Sequence, residues 1–227
     1  LSAVRLSVLM KVAGVDEAGR GCVIGPLVLC AYAVDEDKLD ALKLKGVKDS
    51  KLVLPSKRGG LHKMLLGEGE AVVVELSAEE ITEWMQKGRS LNELEAKAAG
   101  EALTKIDHAK LSRVILDSPD PVPAKFAARV KRYFKGATKI VSENKADYNY
   151  TVVGAASIVA KEVREQRIAE IKREVGFDFG SGYSHDEVTI AYLKEHIRDP
   201  KLHKYVRHSW ATAKRLKFTQ VPLGEWV

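Results

Sequence analysis

Lys11-Val12-Ala13-Gly14-Val15-Asp16-Glu17-Ala18-Gly19-Arg20-Gly21 decides the fold. An apolar run, Lys11–Val15, reads as a strand. It ends in two adjacent carboxylates and then a glycine-arginine-glycine turn. Neighbouring residues on an extended strand face opposite ways, so Asp16 and Glu17 reach one site only where the strand bends. The glycines supply that freedom and let backbone N–H groups approach a ligand closely. An ordinary acidic turn after a strand has the same composition, and these residues alone do not decide between the two.

Four more β-rich apolar runs lie outward from this stretch: Val23–Val34, Ala71–Leu76, Arg113–Leu116 and Lys139–Val141. Pro26 predicts a break, bulge or edge position in the first of them. Ser77 with Glu80, and Ser90 with Glu93, form capping boxes. The second opens a helix of about five turns, with Leu91, Leu94, Ala98, Leu103 and Ile106 as its buried positions. Residues 151–174 read as a long helix whose start (Gly154, Ala155, Ala156, Ser157) permits close backbone packing. A loop, a helix at about 186–197 and a basic helical tail follow. This order predicts an α/β core with a C-terminal helical subdomain. The expected division is 1–9 as an extension, 10–175 as the core, 176–218 as a helical substrate-binding part and 219–227 as a tail.

The 227 residues are 45% hydrophobic and 30% charged, which is ordinary globular composition. No apolar run approaches the roughly 20 residues of a membrane span, so a soluble, cytoplasmic protein is expected. Two cysteines in one apolar stretch argue against a disulfide framework. The six histidines lack ligand spacing and are expected at the surface or core edge. The net charge is +6. Lys194–Lys217 holds eight basic and two acidic residues, and so accounts for the whole excess. It is a candidate phosphate footprint, with a solvated helix face as the alternative.

Two more carboxylates end structured runs. Asp117 follows Val114-Ile115-Leu116, and Asp147 lies in Asn144-Lys145-Ala146-Asp147-Tyr148 before the small-residue helix. Either could be a local turn or helix-start residue. Brought together, such groups repel one another unless they share protons or bind cations. All-oxygen ligation suits Mg²⁺ or Mn²⁺, and on a basic chain this points to two-metal phosphodiester chemistry.

Asp16-Glu17-Ala18-Gly19-Arg20-Gly21, Gly25-Pro26 and Asp49-Ser50-Lys51 together resemble type 2 ribonuclease H. Leu116-Asp117-Ser118-Pro119, Lys145-Ala146-Asp147, Ala155–Lys161 and Gly180-Ser181-Gly182-Tyr183 follow in that family's order. Cys22 and the Val206-Arg207…Trp210 ending are most similar to archaeal members. Leu52 stands where a second Lys is usual, and Ser184-His185 where Pro-Ser is common.

The resemblance implies a ribonuclease H fold, a mixed five-stranded sheet flanked by helices with a C-terminal helical part. It implies cleavage of RNA in RNA/DNA hybrids and of single ribonucleotides embedded in duplex DNA, on their 5′ side. The products carry 3′-hydroxyl and 5′-phosphate ends, and the implied roles are ribonucleotide excision repair and primer removal. Asp16, Glu17, Asp117 and Asp147 are implied as catalytic, metal-binding carboxylates for two Mg²⁺ or Mn²⁺ ions. Gly19, Arg20 and Gly21 are implied to read the 2′-hydroxyl, Tyr183 to pack on a sugar, and Lys51 and Lys145 to lie near phosphates. A monomer is expected.

The end of the chain, Gln220…Leu223…Trp226-Val227, resembles the motif that docks on sliding clamps such as PCNA. In a 3₁₀ turn these positions share one face, although Val227 replaces the usual second aromatic. A tail packed on its own domain is the alternative. Two rival functions remain at this point. One is a different two-metal nuclease of this fold, such as a resolvase; the other is a non-catalytic RNA–DNA binding module.

Overall fold

A computed structural model describes residues 10–47, 53–107 and 110–219. The strands are β1 (Lys11–Ala18), β2 (Leu27–Asp35), β3 (Glu70–Leu76), β4 (Leu111–Asp117) and β5 (Lys139–Glu143). Helices α1 (Leu39–Leu44) and α2 (Pro55–Glu68) lie between β2 and β3, and α3 (Ala78–Gln86) and α4 (Leu91–Lys105) between β3 and β4. Helix α5 (Pro123–Tyr133) joins β4 to β5. Five helices follow: α6 (Ala146–Asn149), α7 (Thr151–Val175), α8 (Glu187–His196), α9 (Pro200–His203) and α10 (Ala211–Thr219). No helix among the described residues is long and apolar enough to cross a membrane.

The strands form one mixed sheet in the order β3-β2-β1-β4-β5. Strand β1 pairs in parallel with β4, and β4 with β5. Every residue of β2 from Leu27 to Val34 is buried. A strand buried on both faces reads as a continuous apolar run rather than an alternating one, as Leu27–Val34 does. The run expected as one strand from Val23 starts only at Leu27, because Pro26 interrupts it. The chain leaves β1 toward β2 and β3 on one side and returns to β4 and β5 on the other. Ligands gather at the carboxyl ends of strands where the order reverses in this way.

Both serines cap their helices. Ser77 Oγ accepts the Glu80 N–H at 3.0 Å, and Ser90 Oγ accepts the Glu93 N–H at 3.3 Å. Helix α4 is 15 residues long, about a turn shorter than expected, and Leu91 is only half-buried. Leu94, Ala98, Leu103 and Ile106 are buried. Helix α2 was not foreseen. Pro55 opens it in the first turn, where a missing N–H costs nothing.

The described residues fall into two compact units. One gathers the chain up to Glu17, Leu29–Val74 and Glu95–Ala160; the other gathers Ala18–Val28, Glu75–Leu94 and the chain from Lys161. The second has its own core, in which Ile24, Ile168, Phe179, Leu193 and Val206 are buried together.

Within the first unit, Gly14 sets how closely β1 meets the start of α7. A Cβ on Gly14 would stand 2.5 Å from the backbone C and O of Val152. Backbone cannot swing aside as a side chain can, so only hydrogen fits there. Gly14→Ala is expected to destabilise the fold by about 2 kcal/mol or more. Thermal unfolding checks this; a parental Tm would show that the start of α7 yields freely.

Candidate active site

Residues Val15 and Leu116 are register partners on the parallel pair β1–β4, so Asp16 and Asp117 follow them at neighbouring strand ends. Ligand oxygens of Asp16, Glu17 and Asp117 all lie within 4.8 Å of one another. The strand continues through both Asp16 and Glu17. The Asp16 carboxylate turns along the chain and accepts the Glu17 N–H at 2.8 Å. Asp117 Oδ1 accepts the Ala146 N–H at 2.7 Å. Lys145, just before it, has φ 61°, the only positive φ among described non-glycine residues. Such strain collects where a site needs a particular backbone direction. Here it accompanies the Ala146 N–H pointing at Asp117.

Asp147 lies outside that trio but is buried, at 5% exposure. Its charge is felt at Asp16. Asp16 is itself 5% exposed, and its pKa is pushed up to about 7. Burial is the largest cause, followed by the Asp117 charge; Asp147 adds a smaller push. A hydrogen bond from the buried Ser157 hydroxyl and the one from Glu17 N–H oppose the shift. A buried carboxylate crowded by two like charges lacks positive charge at this spot. The donor set, with oxygens only and three carboxylates in reach of one point, fits a hard divalent cation.

The turn after Glu17 belongs to the second unit. The Cys22 N–H donates to the Gly19 carbonyl at 3.2 Å and closes the turn. Gly19 has φ +82°, and a Cβ there would stand 2.8 Å from both the Pro26 carbonyl oxygen and Arg164 Nε. Gly21 is exposed, and its nearest neighbour to such a Cβ is the Tyr183 ring at 3.8 Å. The Arg20 guanidinium donates to Asn92 Oδ1 at 2.7 Å.

Tyr183 is half-buried and forms an isolated antiparallel bridge with Cys22. The Arg164 guanidinium lies 4.8 Å from its ring centroid and donates to the Ser181 carbonyl at 2.5 Å. Asp186, whose pKa is held down to about 2, accepts from the Ser181 N–H and hydroxyl. The loop that presents Tyr183 is therefore braced from both sides.

Compared with known proteins, residues 13–213 match the family model described as Ribonuclease HII. The chain belongs to the ribonuclease HII family. Members of this family are endonucleases of the ribonuclease H type. The ribonuclease HII of Thermofilum pendens is 40% identical over 214 residues, covering 91% of this chain and 99% of that one. The crystal structure of ribonuclease H2 from Pyrococcus horikoshii OT3 superposes with a TM-score of 0.82 at 38% identity, over 93% of this chain and all of that one. The ribonuclease HII in the PCNA:RNase HII complex from Archaeoglobus fulgidus gives 0.78 at 38% identity, over 89% and 95%.

Lys51, Gln220, Leu223, Trp226 and Val227 lie outside the described residues. Lys145 is exposed beside Ala146. One expectation needs correction. Arg207 was counted in the basic surface of Lys194–Lys217, but it is fully buried and bonds backbone carbonyls. Lys194, Arg198, Lys201, Lys204, Lys214 and Arg215 are exposed as expected. Sequence reasoning assigned no role to Ser157, Arg164 or Asn92. Only Ser157 carried a signal, as the polar residue in the small-residue start of α7.

The conflict at Asp16 is testable apart from catalysis. The metal-free fold holds the Asp16 proton up to about pH 7, whereas an unfolded chain releases it near the ordinary aspartate value of 3.8. Stability is therefore lost as pH rises through that window. Asp16→Asn removes the charge and keeps the oxygen that Glu17 N–H needs. It is expected to raise the Tm of metal-free protein at pH 8 by about 5 °C, to leave it unchanged near pH 3, and to abolish cleavage. Melting curves at both pH values check this.

Proposed function

We propose that this chain cuts the RNA strand of RNA/DNA hybrids and single ribonucleotides embedded in duplex DNA. The cut falls on the 5′ side of the ribonucleotide and leaves 3′-hydroxyl and 5′-phosphate ends. The observation that carries the proposal is the carboxylate trio at the β1 and β4 ends, with Asp16 buried against like charge. Asp16, Glu17, Asp117 and Asp147 hold two divalent ions, Mg²⁺ or Mn²⁺. When bound, these supply an activated water and neutralise charge on the leaving oxygen. The carboxylates act as ligands and not as nucleophiles. Ser157 and the Ala146 N–H keep Asp16 and Asp117 oriented, as supporting groups around metal ligands do.

RNA differs from DNA by its 2′-hydroxyl, so a ribonucleotide in DNA is found by reading that group. Gly19, Arg20 and Gly21 read it through backbone groups, a role supported by the room left at Gly21. Tyr183 packs on the sugar of the neighbouring nucleotide, held by the bracing of its loop. Lys51 and Lys145 meet phosphates, and the exposed basic residues of the C-terminal helices track the duplex. These activities place the protein in ribonucleotide excision repair and primer removal. Gln220, Leu223, Trp226 and Val227 dock on a sliding clamp; the Archaeoglobus fulgidus relative solved with PCNA supports that partner.

The test uses a labelled DNA duplex with one embedded ribonucleotide and its all-DNA counterpart, each with Mg²⁺. Cutting of the first alone, 5′ of the ribonucleotide, is the expected outcome. Cutting of both would mean a general or structure-specific nuclease, and tight binding without cutting a non-catalytic module. Removing residues 220–227 is expected to abolish clamp binding and leave cleavage in free solution intact. Unchanged clamp affinity would remove the tail from that role.

A further inference from the structure

Arg207 is fully buried (0% exposed), and all three of its guanidinium nitrogens donate to backbone oxygens. Nη2 donates to the Gly19 carbonyl at 2.8 Å, Nη1 to the Arg20 carbonyl at 2.9 Å, and Nε to the Gly25 carbonyl at 3.0 Å. Its own N–H donates to the Val23 carbonyl at 2.9 Å, and its guanidinium carbon lies 5.0 Å from the Trp210 ring centroid. One rigid cation thus spans the turn from Gly19 to Gly25.

Two of those carbonyls are consecutive. No described peptide bond is cis. In a trans peptide the N–H points opposite to the C=O of the same plane. With the Gly19 and Arg20 carbonyls both drawn to Arg207, the N–H groups of Arg20 and Gly21 are turned to the other side, next to each other. Successive N–H groups presented this way form a concave donor pair for an oxygen. Rotating either plane would aim an N–H at a buried cation and strip a carbonyl of its donor, so the cation locks the direction of both. On that side Gly21 is exposed and Arg20 half-buried.

We propose that Arg207 is a positioning residue for ribose recognition. It fixes the two peptide planes so that the Arg20 and Gly21 N–H groups face the sugar hydroxyl. This rests on the assignment of the Gly19–Gly21 turn to the 2′-hydroxyl. A planar fork with donors on separate nitrogens holds two neighbouring carbonyls at a fixed spacing. A lysine ammonium is a single point with no such fork.

The experiment compares the parent with Arg207→Lys and Arg207→Gln, each checked for native secondary structure by circular dichroism. Affinity is measured without divalent ions for a duplex with one ribonucleotide and for its all-DNA counterpart. In the parent, the ribonucleotide duplex binds tighter. In the folded variants this preference is expected to collapse to about one, with all-DNA affinity unchanged. Cleavage of the ribonucleotide duplex should lose about a hundredfold in kcat, while KM, set by the phosphates, moves little. Folded variants with parental preference and kcat would overturn the proposal, and so would failure of both variants to fold, which makes Arg207 structural only. A parent without any ribose preference would overturn the assignment of the turn itself, and the proposal with it.

Discussion

The candidate site depends on keeping the Asp16 carboxylate buried beside other negative charge. Desolvation and the Asp117 and Asp147 charges all oppose ionisation there. The fold accepts this cost because the surrounding backbone leaves the carboxylate nowhere else to go. Strand β1 is buried along most of its length, and Gly14 lets α7 close on it with no side chain between. Ser157, on that same helix, supplies the hydroxyl that keeps Asp16 in place. Rigidity bought in this way is what an acidic metal site needs, since floppy carboxylates would splay apart before a cation arrived.

The second unit solves a different problem with different means. Two of its arginines, Arg164 and Arg207, are buried and hold backbone around the Gly19–Cys22 turn and the loop of Tyr183. Arg207 bonds three carbonyls, and Arg164 braces Ser181 and lies over Tyr183. Backbone groups bear no sequence-specific side chain, so a surface built from them is indifferent to which base a sugar carries. Such a surface suits the proposed reading of a ribose hydroxyl regardless of the base beside it.

Much of this was legible from residue order. Asp16, Glu17 and Asp117 stood at the ends of apolar runs, and strand ends are where an α/β sheet collects function. Ser77 and Ser90 announced two helices through local hydrogen bonds that need no tertiary context. Pro26 marked the late start of β2. Long-range contacts were less visible. Arg207 looked like one more charge in a basic segment, because nothing local says that its partners lie more than 180 residues earlier. Helix α2 escaped notice because its apolar residues do not gather on one stripe, leaving no period to read.

The Arg207 contacts also bear on how the chain comes to life. The Arg207 guanidinium that bonds the carbonyls of Gly19 and Gly25 lies 188 and 182 residues after them. Contacts so distant in sequence form late, since the loop between them must close first. During synthesis Asp16 and Glu17 emerge early, while the turn after them lacks the Arg207 contacts until the segment around residue 207 leaves the ribosome. A truncated or half-made chain would carry the acidic cluster without the clamp on that turn. The sequence distance between donor and acceptors therefore acts as a timer, delaying the finished turn until the segment that carries Arg207 has been made.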